Sequence, residues 1–518
     1  MVTALHATHS QLSLLRTHMQ PSRRQFLLTS LAAASVLAGC RTSPEPFGTP
    51  AAATSRVPVR RLFVDRRSVD VNGRDAVVYG LHQPDGTRGV VLDPGERFLV
   101  DLSNQTEETT IVHWHGQTPT PDQDGVGEFG IPLIRPGEQR RYDFIARPGT
   151  YWMHSHKGLQ HQQMLSAPLI VRTVDDTRSD MQEISVFLED FTFRDPDDVL
   201  GNLVHSDGSS AAPISEAPNA MHGETSPSSL TNAKDPMPAM DMAAQGPAMK
   251  MDLNDVEFDA YLANARTLDD PQVIRVERGG RVHLRIINGA SSTNFHIDLG
   301  QLQGTVVSVD GNAVKPVIGS RFGLAMGQRI DIHVQLPPVT GAWPVMALRE
   351  GGTQQTGVIL ATAAAPVSKL APDAPDATGP ISFDLEAQLS ALEPITPRPA
   401  DANFMMMLGG TMHPYAWSIN GKRWENRQVV QISAGQRVDI TLHNLTMMSH
   451  PMHLHGHTFY VVGLNDKGFS GARRDTVLVP PMAKVLITFN ADNPGRWLLH
   501  CHNLYHMEAG MMTEVAYA

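Results

Sequence analysis

One short pattern occurs three times in this 518-residue chain and limits what it can become. Gly, any residue, Arg, Phe or Val, five residues, then Asn reads as Gly95-Glu96-Arg97-Phe98 with Asn104. It returns as Gly279-Gly280-Arg281-Val282 with Asn288, and as Gly435-Gln436-Arg437-Val438 with Asn444. The copies close alike, on Gly149-Thr150-Tyr151, Gly341-Ala342-Trp343 and Gly495-Arg496-Trp497, each leading into a strand. Self-similarity at domain spacing signals one unit used repeatedly. Between these anchors run short alternating apolar segments punctuated by Gly, Asn and Pro, with Asn72-Gly73 as a hairpin signal and no long amphipathic helical period. The expectation is all-β: three homologous β-sandwich domains over residues 57–175, 176–362 and 381–518, with an Ala/Pro-rich linker at 363–380.

The repeat also shows where chemistry is kept. Three residues after the closing aromatic stand His154 in the first unit, Met346 in the second and His500 in the third; two further on stand His156, Leu348 and His502. The middle unit keeps the frame without the ligands. Histidine motifs cluster in the outer units: His113-Trp114-His115-Gly116, His154-Ser155-His156, His450-Pro451-Met452-His453-Leu454-His455, and His500-Cys501-His502 running on to His506 and Met511. Residues two apart on a strand share a face, whereas neighbours point oppositely. Cys501 therefore faces away from His500 and His502, so a thiolate can bind a metal on one side while its covalent neighbours bind metals on the other. Thiolate, imidazole and thioether together suit copper better than a hard-ligand metal.

A formal charge of -11 and the lack of a basic run argue against a nucleic-acid partner. The two cysteines, Cys40 and Cys501, make no disulfide framework and leave Cys501 free for metal. Ser22-Arg23-Arg24-Gln25-Phe26-Leu27 and the apolar run to Ala38 resemble a twin-arginine export signal within residues 1–40, with Met19 an alternative start. Leu37-Ala38-Gly39-Cys40 resembles a lipoprotein cleavage box, which would anchor the chain through Cys40; an ordinary signal cleavage is the other reading. Either places the mature protein outside the cytoplasm, in the periplasm, with residues 41–56 as a tether. Within the middle unit, residues 205–252 lack aromatics and are rich in Pro, Ser, Ala and Gly, so they cannot bury a core of their own. They nevertheless hold Met221, Met237, Met240, Met242, Met249 and Met251.

These histidine and cysteine motifs resemble the multicopper oxidase family across all three domains, and within it the copper-tolerance, laccase-like branch. The resemblance implies three cupredoxin-like Greek-key domains and four copper ions. It implies a type 1 copper on His450, Cys501 and His506 with Met511 as weak axial ligand, and a type 2 copper on His113 and His453. A type 3 pair would lie on His115, His154, His156, His455, His500 and His502. By the same resemblance Cys501 passes electrons through His500 and His502, dioxygen is reduced to water, and Asp124 assists proton delivery. A glutamate of the C-terminal segment relays protons in some cuprous oxidases of the family; Tyr505, beside His506, is a poor proton source, and Glu508 reads as an exposed acid. His161 and His457 are expected behind the ligands or at the surface. Met405, Met406, Met407 and Met412 are expected to fill core gaps, and Met447 and Met448 to line the approach to the type 1 copper.

The methionine-rich stretch singles out a substrate among those the family oxidises. Thioethers prefer Cu(I), so Met237, Met240, Met242, Met249 and Met251 are expected to collect that ion for oxidation to Cu(II) by a monomeric enzyme. A laccase-like oxidase of small phenols is the alternative. A copper-free structural protein of the cell envelope with the same fold is a third reading, against which the complete ligand set argues.

Overall fold

Each copy of the repeat folds into the same eight-residue strand: Arg97–Asn104, Arg281–Asn288 and Arg437–Asn444. The computed structural model describes residues 58–205 and 253–518; the signal segment, Cys40, the tether and the five proposed copper-collecting methionines lie outside the described residues. In every copy the glycine turns the chain at positive φ (Gly95, Gly279 and Gly435), and Phe98, Val282 or Val438 enters the core.

The repeated asparagine is a clamp. Asn104 Nδ2 donates to the carbonyls of Glu108 and Ile134 (2.7 and 3.0 Å), and its Oδ1 accepts from Thr106 N at 3.0 Å. Asn288 does the same with Thr293, Leu324 and Ala290, and Asn444 with Met448, Val479 and Thr446. All three are buried, so one side chain closes the loop after its strand and pins that loop to the facing sheet.

Three two-sheet sandwiches follow. In each, the repeat strand pairs in parallel with the domain's first strand (Arg60–Val71, Gln182–Phe191 or Ala402–Met412) and antiparallel with a later one. The second sheets carry the closing segments as Gly149–Ser155, Ala342–Arg349 and Arg496–Cys501. This is the expected cupredoxin-like architecture. Asn72-Gly73 forms the predicted tight hairpin, pairing Val71 with Arg74 at positive φ on both turn residues. The stretch 363–380 is strapped onto the middle domain rather than spanning free: Gln355 N donates to Pro372 O and Thr378 N to Gly352 O.

The third domain's core is not its own alone. Val126 and Leu159 from the first domain, and Val199 and Val256 from the second, join the buried cluster that holds Trp417, Cys501 and Met511. One expectation fails here. Of Met405, Met406, Met407 and Met412, only Met406 is core (3% exposed), because strand alternation that sends Met406 inward turns Met405 and Met407 (51% and 43% exposed) to solvent; Met412 is half-buried.

Candidate metal centre

Two hairpin-like pairings bring the histidine motifs together. His113 lies opposite His154 where Val112–His113 meets Gly149–Ser155, and His453 lies opposite His500 where His450–Leu454 meets Arg496–Cys501. The first pair belongs to domain 1 and the second to domain 3, and they face each other. The ring of His113 lies 3.9 Å from that of His455, His115 lies 3.8 Å from His453, and Nε2 of His455 and His500 are 3.0 Å apart. His502 joins the same group, 4.9 Å from His115 and 5.2 Å from His154 between ring centres. All eight predicted cluster histidines are thus assembled in one buried site.

In most of these rings one nitrogen is tied and the other is not. The carbonyls of Asp124, Ser155, Asp475 and Cys501 accept from Nδ1 of His113, His154, His453 and His500 at 2.9 to 3.0 Å. Nδ1 of His156 bonds Glu128 at 2.8 Å and Nδ1 of His455 bonds Asp124 at 2.9 Å, while His115 uses Nε2 to reach Asp475 and Thr476. The opposite nitrogens, Nε2 of His113, His154, His156 and His453 and Nδ1 of His115, are buried without a hydrogen-bond partner, as are both nitrogens of His502. Orphaned buried nitrogens are costly, and convergent ones whose partner nitrogen is fixed are the pattern of metal ligands with outer-shell support. The donor set fits copper.

Burial, then neighbouring imidazoles, holds His115, His154, His453, His455 and His502 well below the ordinary imidazole range, and His500 is pulled down to about 3. These six rings are therefore held in the neutral form that a metal binds. His156 is the exception: burial lowers it, but the Glu128 carboxylate more than offsets this and raises it. Asp124 ties the two domains through its carbonyl on His113 and its carboxylate on His455. Its position depends on Gly125, whose φ of +80° and closeness to Val112 O (1.8 Å from any added Cβ) admit only glycine.

The second donor group lies on the opposite face of the same strand end, as alternation requires. Sγ of Cys501 is 3.7 Å from Nδ1 of His450 and 3.6 Å from Nδ1 of His506, and these two nitrogens are 3.0 Å apart. Met511 is fully buried and held beside them by its backbone, its N bonding His506 O and its O accepting from Cys501 N. Gly510, at φ +119° with Trp417 O 2.8 Å from any added Cβ, permits that tight return. Burial pushes the Cys501 thiol far up, so a thiolate here requires a bound cation.

The ends of the methionine-rich stretch lead to this group. The helix Pro196–His205 enters it with Val199, Leu200 and Leu203 packed on the core that holds Cys501, and Val256 and Phe258 pack there after it. Between them Asp255 places Oδ2 3.0 Å from Nε2 of His506 and 2.6 Å from Nδ2 of Asn503, which caps the helix Leu504–Glu508.

Sequence reading missed Asp255, Glu128, Asp475 and Thr446, whose hydroxyl lies 2.8 Å from Nε2 of His450. None belongs to a histidine motif; the charged triplet Arg473-Arg474-Asp475 ahead of an apolar run was the one visible signal. In it, Asp475 also takes a two-pronged ion pair from the buried Arg329 of the middle domain at 2.7 and 2.5 Å. His161 and His457 sit behind the ligands as expected, bonding the carbonyls of Gly289 and His455. Tyr505 is buried with its hydroxyl on Gln162, Glu508 is exposed, and of the methionines before His450, Met447 is exposed while Met448 is core.

Sequence profiles of the multicopper oxidase family match residues 87–176, 230–365 and 396–518. The chain is 31% identical over 515 residues to multicopper oxidase MmcO of Mycobacterium tuberculosis, covering 96% of each chain. It is 27% identical to copper resistance protein A of Escherichia coli, over 96% of this chain and 99% of that one. Among solved structures it resembles Fet3p, a multicopper oxidase that functions in iron import, with TM-score 0.70 at 18% identity over 89% and 90% of the chains. A laccase from Botrytis aclada gives TM-score 0.69 at 20% identity over 88% and 87%. With the profiles falling on all three sandwiches and a relative of this identity along nearly its whole length, the chain belongs to the multicopper oxidase family.

Proposed function

We propose that this multicopper oxidase couples four one-electron oxidations of Cu(I) to the reduction of dioxygen to water, and so serves copper tolerance. In this reading His450, Cys501, His506 and Met511 hold one copper and His113 and His453 a second. His115, His154, His156, His455, His500 and His502 hold a pair. Bound there, copper supplies one-electron chemistry at the thiolate side and multi-electron oxygen chemistry at the imidazole side. The chain's part is to fix the donors. Main-chain carbonyls and carboxylates orient most of the rings, Cys501 joins the two sites covalently to His500 and His502, and burial favours the neutral form of most of the cluster imidazoles. Asp124, buried between His113 and His455, is the acid best placed to deliver protons.

The observation that carries the substrate is the anchoring of the methionine-rich stretch. Both its flanks pack on the core around Cys501, and Asp255, just beyond it, contacts His506. Thioethers emerging there would concentrate Cu(I) next to the electron entry point. Relatives named for copper resistance agree with this reading. Export by the twin-arginine route to the periplasm, with Cys40 as a lipid anchor and the chain working as a monomer, completes it on sequence grounds. The test is oxygen uptake by copper-loaded enzyme with Cu(I) and, separately, with a phenol, in the intact chain and in one lacking residues 206–252. Loss of the Cu(I) rate with the phenol rate kept supports a cuprous oxidase; equal rates in both chains favour a laccase-like phenol oxidase.

A further inference from the structure

Exposed methionine is confined to one region of the described molecule. In the first and second domains the exposed large apolar residues are valines and isoleucines. In the third they are Met405, Met407, Met447 and Met482 with Leu392 and Leu445. Met405 and Met407 project from the same face of Ala402–Met412. In the parallel partner strand Thr441 lies opposite Met405 and His443 opposite Met407. Neighbouring strands are about 4.8 Å apart and alternate residues about 6.6 Å, within reach of two flexible thioethers and a ring.

We propose that Met405, Met407 and His443 form a surface site for a soft d10 cation, Cu(I), on the outer face of the third domain. Among the described residues His443 has no hydrogen-bond or ion-pair partner, so its imidazole is available. Its neighbour on the other side is Lys484, whose ammonium is taken up by Asp466 at 3.1 and 3.2 Å. The strand Tyr415–Ile419 pairs only from Leu408 onward, so beside Met405 and Met407 the edge is met by the single residue Asn420, whose N also donates to Met407 O at 2.8 Å. Asn420 accepts from Met407 N at 2.7 Å and donates to Met405 O at 3.1 Å. The donors are thus open from the edge and from above. Two thioethers with one imidazole favour Cu(I) over a divalent or hard ion.

The surface connects onward. Leu445 N bonds Leu408 O, Met482 N bonds Thr446 O, and Thr446 reaches His450 through its hydroxyl, so exposed Met447 and Met482 continue the thioethers toward the loop before His450. Binding at Met405, Met407 and His443 rests on these donors and not on the oxidase reading.

The test uses the full, copper-loaded chain made with 13C-methyl methionine and titrated with Ag(I), a d10 ion that is not oxidised. The expected result is that the ε-methyl resonances of Met405 and Met407, assigned through Met405→Leu and Met407→Leu, move together and saturate. His443→Gln should weaken that saturation by about tenfold or more. Fixed methyls at Met405 and Met407 while Ag(I) binds elsewhere, or a titration indifferent to His443→Gln, overturns the site. Both leucine variants are conservative at exposed positions, and an unchanged blue absorption reports an intact fold. Because the readout is a methyl shift rather than oxygen uptake, failure here and failure of the oxidase reading are separately visible.

Discussion

Nε2 of His506 lies 3.0 Å from a carboxylate oxygen of Asp255, and both side chains are wholly buried. Since Nδ1 of the same ring faces Cys501, the carboxylate acts on the donor group from behind. Asp255→Asn keeps an oxygen acceptor and removes a negative charge. One unit charge at about 6 Å and an effective dielectric of about 20 is worth about 3 kcal/mol, or on the order of 100 mV. The copper potential should rise by up to that amount, checked by redox titration of the blue absorption, and Asp255→Ala should cut turnover by about ten- to a hundredfold.

Replacing the buried thiol separates the two donor groups. Cys501→Ser should abolish the intense blue absorption and lower the copper content by about one ion per chain. The histidines of the other group keep their carbonyl and carboxylate partners in this variant. Metal analysis beside the optical spectrum checks the outcome, and loss of all copper would contradict it.

Copper removal should destabilise the folded chain markedly. Stripped of metal, the interior retains at least six buried ring nitrogens without partners. Chelation should lower the Tm by several degrees or more, and reloading should restore it. Calorimetry of the stripped and reloaded protein reads this directly.

The repeated asparagines predict a graded response. Asn288→Ala leaves buried carbonyls unsatisfied and should cost about 2–4 kcal/mol without changing copper content. Asn444→Ala should cost as much and also disturb the blue site, because Asn444 positions Thr446 and Thr446 bonds His450. Denaturant unfolding and the optical spectrum distinguish the two.

Glu350 gives a pH signature of its own, outside the set of metal donors. Burial raises its carboxyl from the usual range to about 7, although Ile381 N and Asn294 Nδ2 bond it. An acid whose folded pKa is raised binds its proton more tightly when folded. Stability is therefore favoured below the ordinary carboxyl pKa and falls as pH rises to about 7, by up to about 3 kcal/mol. Glu350→Gln should flatten that fall between about pH 5 and about pH 8, whatever its absolute stability.

The parts of this molecule legible in its sequence were those written in repeats or spacings. The Gly…Arg…Asn pattern located three equivalent strands, and the i, i+2 histidines located the imidazole cluster, because strand geometry converts such spacing into a shared face; the group around Cys501 rested on the family resemblance. Residues that act across the chain left no local trace. Asp255 reaches His506 over 251 positions of sequence, and Asp475 reaches His115 over 360. Met405 and Met407 were misjudged for a related reason. Methionine is apolar in any composition count, and only the strand's register shows which of three consecutive methionines turns inward.

The imidazole cluster draws on the first and third domains, from His113 to His156 and from His453 to His502, with Asp124 bonded to each set. During synthesis the first half-set must wait, through the whole middle domain, for the ligands of the third. The cluster therefore reports on assembly: copper can be captured there only once the third domain has been made and has docked on the first, and a chain interrupted before His500 would carry neither centre, however well its first two domains had folded.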